Sequence, residues 1–136
     1  MGNYELGLEY AFKALNTQKK LGTGEFLGEL YRTLGWIYMD LEDYDKSINY
    51  FEQALEIFSS ANYAIGMGYA NEDLGGAHTK NKNYEKGLDH YTKALNIYEE
   101  AGYESGVAGA IYGLGRVHKY LGNYSKTRTL GMRKRH

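Results

Sequence analysis

Four histidines, 17 acidic residues and no cysteine are the groups through which this 136-residue chain could do chemistry. His78 and His118 stand 40 residues apart in the same column of a repeating pattern, so they could approach each other across stacked units. His90 shares a helix face with Lys86 and Lys93, and His136 is the last residue. Catalysis needs a nucleophile beside a base, a pair of carboxylates in a pocket, or a metal cluster. None of these has a recognisable spacing here. There is no His-Glu-x2-His, no cysteine pair and no dense run of aspartates, so neither zinc nor calcium is expected. Gly66-x-Gly68 and Gly113-x-Gly115 have the glycine spacing of a phosphate-binding loop, but they lie within helical pattern with no strand before them, and a dinucleotide fold needs that strand. The chain is expected to be no enzyme and to take no cofactor.

What positions these residues is a repeat. Tyr4, Tyr44, Tyr84 and Tyr124 follow one another at intervals of 40, and other columns keep the same register: Ala14, Ala54 and Ala94; Leu34, Leu74 and Leu114; Gly35, Gly75 and Gly115. A fixed period of this size signals stacked supersecondary units, none of which can bury its apolar face alone.

Within each unit the apolar residues recur at helical spacing. Tyr4, Leu8, Ala11, Phe12 and Leu15 form one stripe; Leu27, Leu30, Tyr31, Leu34, Ile37, Tyr38 and Leu41 form the next. Second-type helices are expected at about 3–20, 44–59, 84–100 and 124–130, and first-type helices at about 24–41, 64–80 and 104–121. Gly22, Asn62 and Gly102 close the former, since glycine and asparagine tolerate the left-handed conformation. Short polar corners at Glu42-Asp43, Lys82-Asn83 and Gly122-Asn123 make successive helices antiparallel. Glycine in mid-helix at 35, 75 and 115 costs about 1 kcal/mol against alanine. A cost repeated in one column implies close helix packing, with Ala54 and Ala94 as the small partners.

These columns resemble the tetratricopeptide repeat, whose pattern runs Trp-x2-Leu-Gly-x2-Tyr, then Ala-x3-Phe, then Ala and Pro. Here it reads Tyr31-x2-Leu34-Gly35-x2-Tyr38, Ser47-x3-Phe51, Ala54; then Leu74-Gly75-x2-His78, Gly87-x3-Tyr91, Ala94; then Leu114-Gly115-x2-His118. The chain departs from it in having no proline, in placing Tyr31, Asn71 or Ile111 where the tryptophan leads, and in its period of 40. That longer period is similar to the variant in G-protein-signalling modulators and prokaryotic regulatory proteins. The resemblance implies an all-α, right-handed superhelical solenoid of antiparallel helix pairs, about seven helices over residues 1–127, followed by a basic tail at 128–136. It also makes His78 and His118 core residues, because the family packs tyrosine there.

The resemblance further implies a concave surface lined by the first helices, whose outward faces carry Glu29, Arg32, Thr33, Trp36 and Asp40; Tyr69, Glu72, Asp73, Gly76 and Lys80; and Gly109, Tyr112, Gly113, Arg116, Lys119 and Tyr120. Such a groove runs from mixed and acidic to basic with aromatics. Peptide-binding members hold their ligand through asparagines flanking the Leu-Gly pair. Thr33, Asp73 and Gly113, then Trp36, Gly76 and Arg116, stand there instead, so capture of a terminal carboxylate is not expected. A protein or peptide segment is the implied partner, with Trp36 either its anchor or packed on the neighbouring helix. Tyr63 and Tyr103 are either exposed contacts or lids over their turns.

Composition agrees with a globular chain: 43% hydrophobic and 24% charged residues. No segment is apolar enough to cross a membrane and no signal peptide is visible, so a cytoplasmic protein is expected. The net charge of −1 conceals five basic residues and no acid after Leu121. A solvated end is the simpler reading of that tail, and a nucleic-acid partner is disfavoured. The first helix lacks a preceding partner, and the last copy stops matching after Lys126. Neither end resembles a polar cap, which points to a regulatory or sensor fragment of a larger signalling protein, or to self-association through the terminal helices.

Overall fold

A computed structural model describes the backbone of residues 2–21 and 24–134 and the side chains of 3–17 and 24–122. Gly22, His136 and the side chains of the basic tail lie outside these. The described residues form six helices and no strand: α1 (Gly2–Leu21), α2 (Gly24–Asp40), α3 (Tyr44–Ser60), α4 (Ala64–Lys80), α5 (Tyr84–Ala101) and α6 (Glu104–Lys134). Left-handed residues recur every 20 positions at the corners, Glu42 at φ 62°, Asn62 at 54°, Lys82 at 65° and Gly102 at 68°. The backbone N–H of Asp43, Tyr63, Asn83 and Tyr103 then bonds the carbonyl five residues back, which closes each preceding helix in the same way.

Each helix packs on its neighbour in sequence, while α4 also touches α2 and α6. The second-type helices α1, α3 and α5 make no comparable contact with one another. First-type helices that touch beside second-type helices that do not give a curved stack with α2, α4 and α6 on the inside.

The mid-helix glycines at 35 and 75 have a packing reason, but not the expected one, whereas nothing lies within 4 Å of a Cβ placed on Gly115. Instead of Ala54 and Ala94, aromatic rings fill the space. Phe58 is clasped between Gly28 of α2 and Gly66 of α4, where an added Cβ at Gly66 would lie 2.6 Å from the ring. Tyr98 is held between Gly68 and Gly106, and Tyr91 between Gly75 and Gly113; Phe51 lies on Gly35. All four rings are buried, Phe51, Phe58 and Tyr98 completely.

Two expectations need correction. The corner at Gly122-Asn123 and the separate helix at 124–130 are absent, since α6 runs unbroken to Lys134. Turning the chain back at Glu42 and Lys82 is offset by seating Phe51 and Tyr91 on glycine; the same column next holds Gly131, with no ring to seat. The second concerns His118, which is exposed and not in the core. His78 is buried, yet its partner is His90 of α5 and not His118.

Candidate concave binding groove

The residues expected on the concave face divide into two groups. Across α2 and α4, side chains are committed to one another. Arg32 Nε and Nη2 donate to the two carboxylate oxygens of Asp73 at 2.6 and 3.3 Å, and Nη1 donates to Glu29 at 3.1 and 3.2 Å. The guanidinium also lies 4.7 Å from the centre of the Tyr69 ring, a cation–π arrangement. Tyr69 donates to the Tyr103 hydroxyl at 2.9 Å, and Tyr98 donates to Glu72 at 2.8 Å. Glu72 in turn lies over Gly109, where a Cβ would be 2.9 Å from its Oε2. The Thr33 hydroxyl bonds the carbonyl of Glu29, one turn back in its own helix.

The pair of charges is set by burial. Asp73 is 5% exposed, and this burial pushes its carboxyl up to about 6 despite Arg32 and a further hydrogen bond from Trp36. Burial also opposes the charge on Arg32, but its two carboxylates outweigh that and hold it above its ordinary value. The hydrogen bond between Tyr69 and Tyr103, with burial, raises Tyr69 to about 12.

Towards α6 the groove is open. Trp36 is 44% exposed, with its ring edge-on to Phe51 at 6.0 Å. It opens onto a cavity of about 120 Å³ whose other walls include Lys80, Gly113, Arg116 and Tyr91. Arg116 stands 5.9 Å from the Tyr112 ring and is held above its ordinary value first by its hydrogen bond with Tyr120, which the guanidinium correspondingly lowers. Tyr120 stacks on Tyr84 at 5.5 Å. Asp40, Lys80, Tyr112 and Lys119 are exposed. An aromatic wall facing cations, with no acid lining the cavity, can take an apolar side chain next to a negative charge.

Tyr91 was missed by the sequence reading, because it belongs to α5 in the other layer. Its ring passes between Gly75 and Gly113, and its hydroxyl lies 3.3 Å from where a Gly76 Cβ would be. Three glycines facing one tyrosine column are the signal that could have found it. Tyr63 and Tyr103 are lids: Tyr63 packs edge-on to Phe58 at 5.6 Å, and Tyr103 lies 5.6 Å from Tyr98. Among the described residues no three His, Asp or Glu side chains gather as metal ligands, and no described helix is long and apolar enough to cross a membrane.

Antiparallel helix pairs, curved with their first members inside and ring-on-glycine seams between them, define a helical-repeat interaction solenoid. The chain belongs to the tetratricopeptide repeat family, whose profile matches residues 1–60 and 67–131. Among curated proteins none matches the sequence. Solved structures share the fold: BtubC from P. vanneervenii (TM-score 0.79, 19% identity), with 88% of this chain and 49% of that one covered. Aspartyl phosphate phosphatase F from Bacillus subtilis gives 0.84 at 19% identity, covering 95% and 34%. A Rap protein complexed with competence and sporulation factor gives 0.82 at 18%, covering 91% and 34%. The chain thus spans less than half the length of these proteins.

Proposed function

We propose that this chain is a non-catalytic protein-interaction module that holds a partner segment in the concave groove between α2, α4 and α6. The observation that carries the reading is the cavity where half-exposed Trp36 faces Lys80 and Arg116. The ligand is an extended or helical segment with an acidic group beside an apolar side chain, since the charges lining the Trp36 cavity, Lys80 and Arg116, are both cationic. Arg32 and Asp73 shape the wall while Trp36, Lys80, Tyr112, Arg116 and Lys119 make contact. That a protein of this fold is complexed with competence and sporulation factor supports capture of a segment by such a surface. A place in cytoplasmic signalling, as the sensor segment of a longer protein, fits the lengths of the similar structures.

Trp36 is the only tryptophan, so its fluorescence reports on the groove directly. Acidic, aromatic-containing peptides are expected to shift its emission, and Arg116→Glu is expected to weaken their binding at least tenfold, or about 1.4 kcal/mol. A partner isolated with this chain that binds the Trp36→Ala/Arg116→Glu variant undiminished would exclude the groove.

A second reading is favoured by the large exposed side chains on the end helices, Tyr10 and Phe12 of α1 and Ile111 of α6. In it the terminal helices also mediate self-association.

A further inference from the structure

We propose that the cavity beside Trp36 is an oxyanion pocket for a phosphorylated side chain of the partner segment, with the Tyr91 hydroxyl as the donor at its floor. The inference rests on the groove reading above and names the group that the groove selects.

The cavity exists because of one glycine. Trp36, Gly76 and Arg116 stand 40 residues apart in one column, on α2, α4 and α6. With no side chain at 76, the space between indole and guanidinium stays open, about 120 Å³, room for about four waters at their share of the liquid. On Gly75 a Cβ would meet the Tyr91 ring at 2.8 Å, whereas on Gly76 its nearest neighbours would be the Tyr91 hydroxyl at 3.3 Å and Met39 at 3.6 Å. No ring is seated on Gly76, so packing does not account for it as it does for Gly75.

Tyr91 enters from the outer layer. Its ring passes between Gly75 and Gly113, and its end lines the cavity. The residue is only 8% exposed, yet no hydrogen bond to its hydroxyl is present among the described residues, although the neighbouring phenols of Tyr69 and Tyr98 each donate one. No fully buried polar side-chain atom among the described residues lacks a partner. The Tyr91 oxygen is therefore not sealed in the core but opens on the cavity. One repeat earlier the same column holds Phe51, completely buried against Gly35 without any oxygen. The seam needs the ring, and the hydroxyl is surplus to it.

The walls supply charge. Neither Lys80 nor Arg116 forms an ion pair among the described residues. Arg116 bonds Tyr120, which leaves most of its five N–H donors for a ligand. Glu72 and Asp73, the acids whose charge reaches the Tyr91 phenol, are already engaged by Tyr98 and by Arg32. Two cations and one neutral donor match a phosphoryl group, which carries a charge of about −1.5 to −2 and three acceptor oxygens. A carboxylate brings one charge and balances only one of the cations. Half-exposed Trp36 at the rim covers the residue beside the phosphate.

Trp36 fluorescence tests this with three peptides that are identical, leucine beside the central position included, except that this position holds phosphoserine, glutamate or serine. The phosphoserine peptide is expected to bind about tenfold tighter than the glutamate peptide, and the serine peptide to bind weakest. Tyr91→Phe recreates the Phe51 seam, so it is expected to keep its helicity while its affinity for phosphoserine falls about tenfold, the size of one lost hydrogen bond to a charged group. Gly76→Ala, which narrows the pocket against the hydroxyl, is expected to lower the same affinity. A glutamate peptide that binds as tightly as the phosphoserine peptide, or a Tyr91→Phe variant that loses nothing, overturns the phosphoryl pocket and leaves the groove standing. Inorganic phosphate that binds as tightly as the phosphoserine peptide overturns the partner segment as the source of the group. Trp36 emission that answers none of the three peptides overturns the pocket and the groove together.

Discussion

The imidazole of His90 lies parallel to that of His78, with 5.4 Å between ring centres and 1° between planes, in the place where Tyr50 stacks on Tyr38 one repeat earlier. The repeat thus keeps the geometry of a seam while changing its chemistry from phenol to imidazole. Burial lowers both histidines, His90 to about 4 with further help from His78 and Lys93, and His78 with help from Lys86. Asp89 is the nearby charge that opposes this for His90.

A sign follows for acid. Both folded-state values lie below the ordinary 6.5, so between about 4 and 6.5 the unfolded chain binds more protons, and stability is lost as pH falls through that window. Asp73 acts oppositely: raised to about 6 from 3.8, it adds stability as pH falls between those values. The double variant His78→Tyr/His90→Tyr, which recreates the first seam, is expected to lose the destabilising contribution. Its urea midpoint should rise relative to wild type more at pH 5 than at pH 7.5; an equal difference at both would refute the buried, neutral histidine pair.

Glycine columns give a pair of opposite effects. Gly68→Ala drives a methyl into Tyr98, which cannot retreat because Gly106 backs it from α6; overpacking of this kind costs about 1–3 kcal/mol. Gly115→Ala meets nothing and gains helix propensity, about 1 kcal/mol. Chemical denaturation of the two variants at low concentration should move the midpoint in opposite directions. The same sign for both would contradict the ring-on-glycine seam.

The repeat made much of this legible. Leu34, Leu74 and Leu114 in register gave the helices, and the residues opposite them on three helices gave the candidate groove that is proposed above. Helical geometry does not say what fills a gap, and so small partners at Ala54 and Ala94 were expected where rings from positions 51, 58, 91 and 98 enter. Nor does it pair side chains across the stack. Arg32 and Asp73 are 41 residues apart on neighbouring first-type helices, and both read as ligand contacts until the curvature brought them together. His118 reads as core from its column alone; burial depends on a next ring, and the column of Tyr50 and His90 next holds Leu130, which is not one.

Corners carry a strain that one substitution relieves. Lys82 sits at φ 65°, the left-handed region that a side chain disfavours by about 1 kcal/mol or more, and it is exposed. Lys82→Gly is expected to stabilise the fold by about 0.5–1 kcal/mol, whereas Gly102→Ala, at φ 68°, is expected to destabilise it by a similar amount. Thermal unfolding of both variants checks the pair, and a lower midpoint for Lys82→Gly would show that its side chain contributes more than its backbone costs.

The groove wall supplies the largest expected loss. Asp73 is buried and accepts its hydrogen bonds from Arg32. Arg32→Met keeps the length of the side chain and removes the charge, leaving a carboxylate without its counter-ion; such losses reach about 3–5 kcal/mol. Protonation of Asp73 would relieve much of it, so this variant is expected to regain stability as pH falls from 8 to 5, more steeply than wild type. Arg32→Met/Asp73→Leu, in which neither charge remains, is expected to be more stable than Arg32→Met alone, because apolar replacements of a buried pair are often neutral. Denaturant titrations of the three proteins at both pH values decide the matter. If the single variant loses less than the double, the Arg32–Asp73 pair is not what holds α2 against α4, and the ring seam at Phe58 carries that contact alone.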